Sequence, residues 1–117
     1  MQVMHPVCCG IDVHQKSIVC CILDGPLTSN EPKKYQTSFG TTTKELKAAL
    51  DWLLEHQVTH VFFESTGQYW IPLFNIFSDS DLELVLANPQ HIKNVPGRKT
   101  DVKDAEWIAQ LGRCGLI

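Results

Sequence analysis

Two apolar runs, Val7–Val13 and residues 17–23, are separated by no more than His14-Gln15-Lys16, and Asp24-Gly25-Pro26 closes the second. Short apolar runs joined by a short polar link predict a β-hairpin. A turn-rich stretch, residues 27–32, leads into a weakly alternating segment, residues 34–39, which predicts a third strand on the edge of the sheet. The period then changes. Thr42-Thr43-Lys44-Glu45 has the spacing of a capping box, with Thr42 as N-cap and Glu45 reaching back. Leu46, Ala49, Leu50 and Leu53 recur at helical spacing and give one buried stripe, ending near His56. Residues 59–63 predict a fourth strand ending in Glu64, and Ser65-Thr66-Gly67 a turn. Residues 69–77 predict an apolar helix, in which Pro72 is tolerable only in the first turn. Residues 82–87 predict a fifth strand stopped by Asn88-Pro89, residues 90–99 a loop around Pro96-Gly97, and residues 100–111 a last helix. The order β-β-β-α-β-α-β-α implies an α/β fold, a mixed five-stranded sheet flanked by helices, in a single domain over residues 1–117.

With 117 residues, 44% of them hydrophobic, the chain suits one domain and is too apolar to be disordered. No apolar run approaches the roughly 18 residues that span a membrane. No basic-then-apolar leader precedes a cleavage site, so the expected place is the cytoplasm, with no membrane partner. A net charge of −3 argues against a uniformly basic nucleic-acid coat. The charge is unevenly spread, however. Asp79, Asp81 and Glu83 form an acidic stretch, whereas His91, Lys93, Arg98, Lys99 and Lys103 form a basic strip interrupted by Asp101, and such a strip can meet phosphate. The cysteines Cys8, Cys9, Cys20, Cys21 and Cys114 lack the C-x-x-C spacing of a zinc knuckle. Each adjacent pair puts one thiol on each side of a strand, so they read as small buried strand residues.

Four acids break the pattern of solvated carboxylates. Asp12 lies inside the apolar strand Cys8–Val13, and burying an ionised carboxylate requires donors or a metal. Glu64 ends a strand as apolar as Val61-Phe62-Phe63, and in strand–helix sheets ligands gather at the carboxyl ends of strands. Asp101 and Asp104 open the last helix. Val102, Ala105, Ile108, Ala109 and Leu111 define its apolar face at about 100° per residue. Asp101 falls within that stripe and Asp104 towards its edge, while Lys103, Glu106 and Gln110 occupy the opposite, solvated face. The four acids are thus expected to converge. Hard oxygen ligands of this kind suit Mg²⁺ or Mn²⁺, and paired ions can stabilise the attacking and leaving oxygens of a phosphodiester transfer.

The element order is that of the ribonuclease H-like fold, and equally of half of the sugar-kinase and actin fold; periodicity does not separate them. The segments GIDVHQKSIVCCILDG, FESTGQYW and ANPQHIKNVPGRKTDVKDAEWIAQL resemble the amino-terminal domain of transposases of the insertion-sequence 110 family. The resemblance runs over nearly the whole chain from Cys8 onward. It implies a RuvC-like variant of the ribonuclease H-like fold and a D-E-D-D acid set: Asp12 in GID, Glu64 in ESTG, Asp101 and Asp104 in TDVKDA. It further implies divalent metal, DNA strand cleavage and transfer during transposition, a structured guide RNA, and a homo-oligomeric full-length protein. Family members continue through a coiled coil into a second domain carrying a serine implied to attack DNA. Residues 1–117 are therefore expected to be a fragment that binds metal and cuts poorly or not at all. Ser65 reads as a turn and capping residue rather than that serine.

Around the acids, His14 shares the strand face of Asp12 if the strand continues, but reads first as a turn histidine. Tyr69 and Trp70 read as helix-start core anchors before stacking platforms. Lys93, Arg98, Lys99 and Lys103 are the expected nucleic-acid contacts, with Arg98 and Lys99 as a phosphate clamp in a loop, residues 94–99, expected to be the least ordered part of the domain. Two other readings stand beside the transposase domain: a self-sufficient, structure-selective nuclease, and a binding or assembly module that does no chemistry alone. An ATP-binding fragment would need glycine-rich phosphate loops, for which Ser65-Thr66-Gly67 is a poor substitute.

Overall fold

The computed structural model describes residues 7–25, 32–65, 67–88, 90, 92, 95–96 and 104–115. The two apolar runs form β1 (Val7–Val13) and β2 (Ser17–Asp24), an antiparallel hairpin closed by the His14 amide donating to the Ser17 carbonyl at 2.9 Å. β3 (Lys33–Gly40) adds antiparallel to β2 and is the predicted edge strand. After α1 (Thr43–Glu55), β4 (His60–Ser65) crosses to the far side of β1 and pairs with it in parallel. α2 (Trp70–Phe77) then leads to β5 (Glu83–Leu86), parallel to β4. The sheet order is β3-β2-β1-β4-β5, and α3 (Asp104–Arg113) ends the chain of elements.

The central strands are apolar at consecutive positions because both of their faces are covered. One face, carrying Cys9, Ile11, Val13, Ile18, Cys20, Ile22, Val61 and Phe63, packs against Leu46, Ala49 and Leu53 of α1 and Leu73 and Phe77 of α2. The other, carrying Cys8, Phe62, Cys21 and Leu23, packs against Ala105, Trp107, Ile108, Ala109 and Leu111 of α3. The adjacent cysteines do split between the two faces, and the four strand thiols are fully buried and free.

Several local expectations change. Thr42 caps α1 by accepting from the Glu45 amide at 3.2 Å, but the Glu45 carboxylate reaches past the cap to the Gly40 amide at 3.3 Å. That amide ends the edge strand β3, so the carboxylate ties helix to strand instead of closing the box. Leu50 is only partly buried, beside the fully buried Leu46, Ala49 and Leu53. Trp70 takes the core position at the start of α2, with its ring against Phe63 and Phe74, whereas Tyr69 stays 43% exposed. Pro72 lies in the first turn of α2, as its missing amide requires. Within the stretch expected as loop, the Ile92 amide donates to the Asn88 carbonyl at 3.1 Å, a helical spacing.

α3 lies unusually close to the sheet. A Cβ on Gly10 would collide with the Ala105 carbonyl oxygen and the Ala109 amide nitrogen, and would sit 3.0 Å from the Ala109 Cα. A Cβ on Gly112 would collide with the Phe62 ring. The Trp107 indole donates to the Ile92 carbonyl at 3.2 Å, which buries a large ring that the five-residue apolar stripe omits. Glu106 and Gln110 are not on a solvated face. The Glu106 side chain is 17% exposed, holds Lys34 at 2.9 Å and accepts from Gln110 at 3.2 Å. The reason is that β2 lies beneath the helix and the long Lys34 side chain reaches that flank from β3.

Candidate active site

Asp12 and Glu64 are register partners on the parallel pair β1 and β4. Adjacent strands lie about 4.8 Å apart, so their side chains leave the sheet as neighbours. Alternation fixes the direction. Cys8 and Phe62 face α3 whereas Cys9, Ile11, Val61 and Phe63 face α1 and α2, so Asp12 and Glu64 stand on the α3 side. Both lie at the carboxyl ends of their strands, and both are half-buried.

α3 runs antiparallel to β1. The Cys8 thiol donates to the Ala109 carbonyl at 3.5 Å, and Gly10 lies beneath Ala105 and Ala109. Following this direction, Asp104 extends past Ala105 towards the end of β1 that bears Asp12. Asp104 is exposed at the amino terminus of α3, where the helix dipole favours an anion. His14 occupies the predicted turn, and its ring folds back so that Nε2 lies 3.0 Å from Asp12 Oδ2. The imidazole is 54% exposed and the carboxylate 18%, so the pair is open to solvent on the histidine side.

Two of the four sequence-selected acids are thus strand neighbours, and a third opens the helix above them. Asp101 lies outside the described residues, as do Lys93, Arg98, Lys99 and Lys103; of residues 94–99, Val95 and Pro96 are described. Among the described residues no three His, Cys, Asp or Glu side chains are grouped closely enough to hold a metal ion. The donors present are nonetheless the hard carboxylate oxygens that Mg²⁺ or Mn²⁺ prefers. Asp12, Glu64 and Asp104 are the described side chains that would hold such an ion, with Asp101 as the fourth.

The motifs contain Gly10 without giving it a role and leave out Lys34; both dock the acid-bearing helix. For Gly10 the signal is a glycine inside an apolar strand, which marks a close backbone approach; for Lys34 the sequence carries none. The thiols beneath α3 are chemically quiet. Burial pushes Cys8 up to about 12 against the lowering effect of Arg113. Burial, reinforced by the Glu106 carboxylate, pushes Cys21 up to about 12 as well. Cys9 is raised well above the ordinary thiol value, first by burial and then by its hydrogen bond with Cys20. None of these three is a nucleophile at neutral pH.

Among solved structures, the chain is similar to the Fowlpox virus resolvase in complex with Holliday junction DNA (18% identity, TM-score 0.53), over 80% of this chain and 65% of that one. It is also similar to Thermus thermophilus RuvC in complex with its Holliday junction substrate (14% identity, TM-score 0.62), over 96% of this chain and 98% of that one. A second Thermus thermophilus RuvC structure matches at 15% identity and a TM-score of 0.58, over 94% and 81%. The chain spans just under two thirds of the Fowlpox protein's length. These likenesses fix the fold as ribonuclease H-like, of the RuvC type. No protein of curated function matches the sequence. A family profile described as "Transposase", that of insertion-sequence 110 proteins with a DEDD acid set, matches residues 9–116. With the profile covering all but the ends of the chain, and a RuvC-type sheet carrying Asp12 and Glu64 in register, the chain belongs to the DEDD transposase family of insertion sequence 110.

Proposed function

We propose that this domain supplies the metal-binding acid set with which a transposase cleaves and transfers DNA strands. The observation that carries the reading is the in-register pair Asp12 and Glu64, at the carboxyl ends of two parallel strands and on the side covered by the Asp104-bearing helix. Asp12, Glu64, Asp101 and Asp104 would hold Mg²⁺ or Mn²⁺ through their carboxylate oxygens. Such ions stabilise charge developing on the reacting phosphate oxygens. The protein's own part is to fix the carboxylates on rigid elements and to hold His14 beside Asp12. Lys93, Arg98, Lys99 and Lys103 contact the phosphate backbone. Such contacts position the duplex without reading its sequence.

DNA is the substrate class that the solved neighbours support, since the Fowlpox resolvase and Thermus thermophilus RuvC are both seen with Holliday junctions. A structured guide RNA and homo-oligomeric assembly follow from the family reading. In that reading the attacking serine belongs to a second domain, so residues 1–117 by themselves bind divalent ions and DNA but cut DNA poorly or not at all. The near-complete coverage of Thermus thermophilus RuvC favours one competing reading, a nuclease that cuts alone.

The test is a Mg²⁺-dependent cleavage assay with residues 1–117 on branched and linear DNA, run beside a divalent titration followed by melting temperature. A divalent-dependent gain in stability with no cleavage is the expected result. Robust cleavage lost in Asp12→Asn would establish the self-sufficient nuclease instead. Absence of any divalent effect on stability would overturn the metal site.

A further inference from the structure

We propose that Gly10 is a positioning residue: by letting the backbone of α3 rest on β1, it sets the distance between Asp104 and the strand acids Asp12 and Glu64. The consequence for metal affinity rests on the metal-site reading above; the spacing itself does not.

Gly10 lies two residues before Asp12 on β1 and shares its face, because strand side chains alternate. The space that its Cβ would need is already filled by the Ala105 carbonyl oxygen and the Ala109 amide nitrogen and Cα. These are main-chain atoms of a helix and have no rotamer by which to withdraw. A side chain at residue 10 therefore has to lift the amino-terminal half of α3 away from the sheet. Asp104 immediately precedes Ala105 and travels with it, whereas Asp12 and Glu64 stay in the β1–β4 ladder. The lift thus separates one member of the acid set from the other two.

Gly112 provides the internal comparison. It also packs without room for a Cβ, but against the Phe62 ring and two turns further along α3 from Ala105. A methyl there strains the same helix–sheet interface at the end remote from Asp104, against the buried Phe62 ring rather than the backbone beside Ala105. Loss of packing at either glycine lowers stability; only the change at Gly10 alters the acid spacing.

The experiment compares Gly10→Ala and Gly112→Ala in the whole chain. In metal-free solution, a crystal structure or inter-proton distances should show the Ala105 backbone displaced from Asp12 in Gly10→Ala and unmoved in Gly112→Ala. In a Mg²⁺ or Mn²⁺ titration read by melting temperature, affinity should fall about tenfold or more in Gly10→Ala and stay within about twofold in Gly112→Ala, the range typical of residues that orient metal ligands. A folded Gly10→Ala protein with Ala105 in its original place overturns the proposal, and so does equal loss of divalent affinity in both variants. If the unsubstituted chain shows no divalent effect, the metal-site reading fails, while the metal-free displacement still decides the spacing. Should Gly10→Ala not fold in plain buffer, the same two measurements on both variants in a stabilising osmolyte such as trimethylamine N-oxide carry the comparison.

Discussion

Asp12 stands between Val13, which is almost fully buried, and the core residue Ile11, yet its own carboxylate keeps 18% exposure and touches the exposed imidazole of His14. A carboxylate so placed can meet a cation without first breaking a buried network. Asp12→Asn is therefore expected to abolish most of the divalent-dependent gain in melting temperature while leaving the metal-free melt unchanged or slightly raised, since it removes one of the two like charges that Asp12 and Glu64 place side by side. For the unsubstituted chain, that gain corresponds to about 2.7 kcal/mol at a free ion concentration of about 100 times the dissociation constant, which calorimetry can resolve. The thiols give a second outcome. Cys8, Cys9, Cys20 and Cys21 are fully buried and Cys114 is half-buried. With Cys8 and Cys21 pushed up to about 12 by burial, one thiol in five should react promptly with a thiol-specific disulfide reagent at neutral pH, and Cys114→Ser should eliminate that fast phase.

At the scale of elements, the helices are held by different means. α1 depends on the Thr42 hydroxyl at its amino end, and Thr42→Ala should cost about 1 kcal/mol in denaturant unfolding. Phe63, fully buried between β4, α1 and α2, should cost about 3–5 kcal/mol on change to alanine. Lys34→Ala should cost under about 1 kcal/mol, because the Lys34 side chain is 51% exposed and its bond to Glu106 is screened. Strand and helix positions were legible in the sequence because they follow from period alone: the runs around Ile11 and Val19 alternate too little for a one-faced strand, and Leu46, Ala49 and Leu53 repeat at helical spacing. The acids on strands were legible because a carboxylate inside an apolar run stands out against its neighbours. What period does not carry is the flank of an element. Glu106 meets Lys34 only because the Lys34 side chain reaches from β3 to the flank of α3, and Trp107 is buried among Cys8, Phe62, Ala87 and Ile92 with its indole on the Ile92 carbonyl.

For the whole molecule, the switch from antiparallel to parallel pairing at β1 sets which strand ends share a rim. β1 and β4 end at the same rim, and α3 begins there. β1 has neighbours on both edges and helices on both faces, whereas β3 and β5 are the outer strands. Amide exchange should therefore be slowest at Ile11 and its β1 neighbours and markedly faster along β5, a gradient that native-state exchange measures directly. The same arrangement has a consequence for biosynthesis. Asp12 is made early, Glu64 midway and Asp104 near the end of the matched segment, and no two of them are brought together by local structure. Pairings so distant in sequence form late, after the loop-closure entropy has been overcome. A chain still emerging from the ribosome carries its first acid on a hairpin with one face bare and the other acids unplaced. Asp104 can reach the strand pair Asp12 and Glu64 only when α3 has been translated and has settled onto Gly10, so the order of synthesis leaves the joining of the three carboxylates to the end.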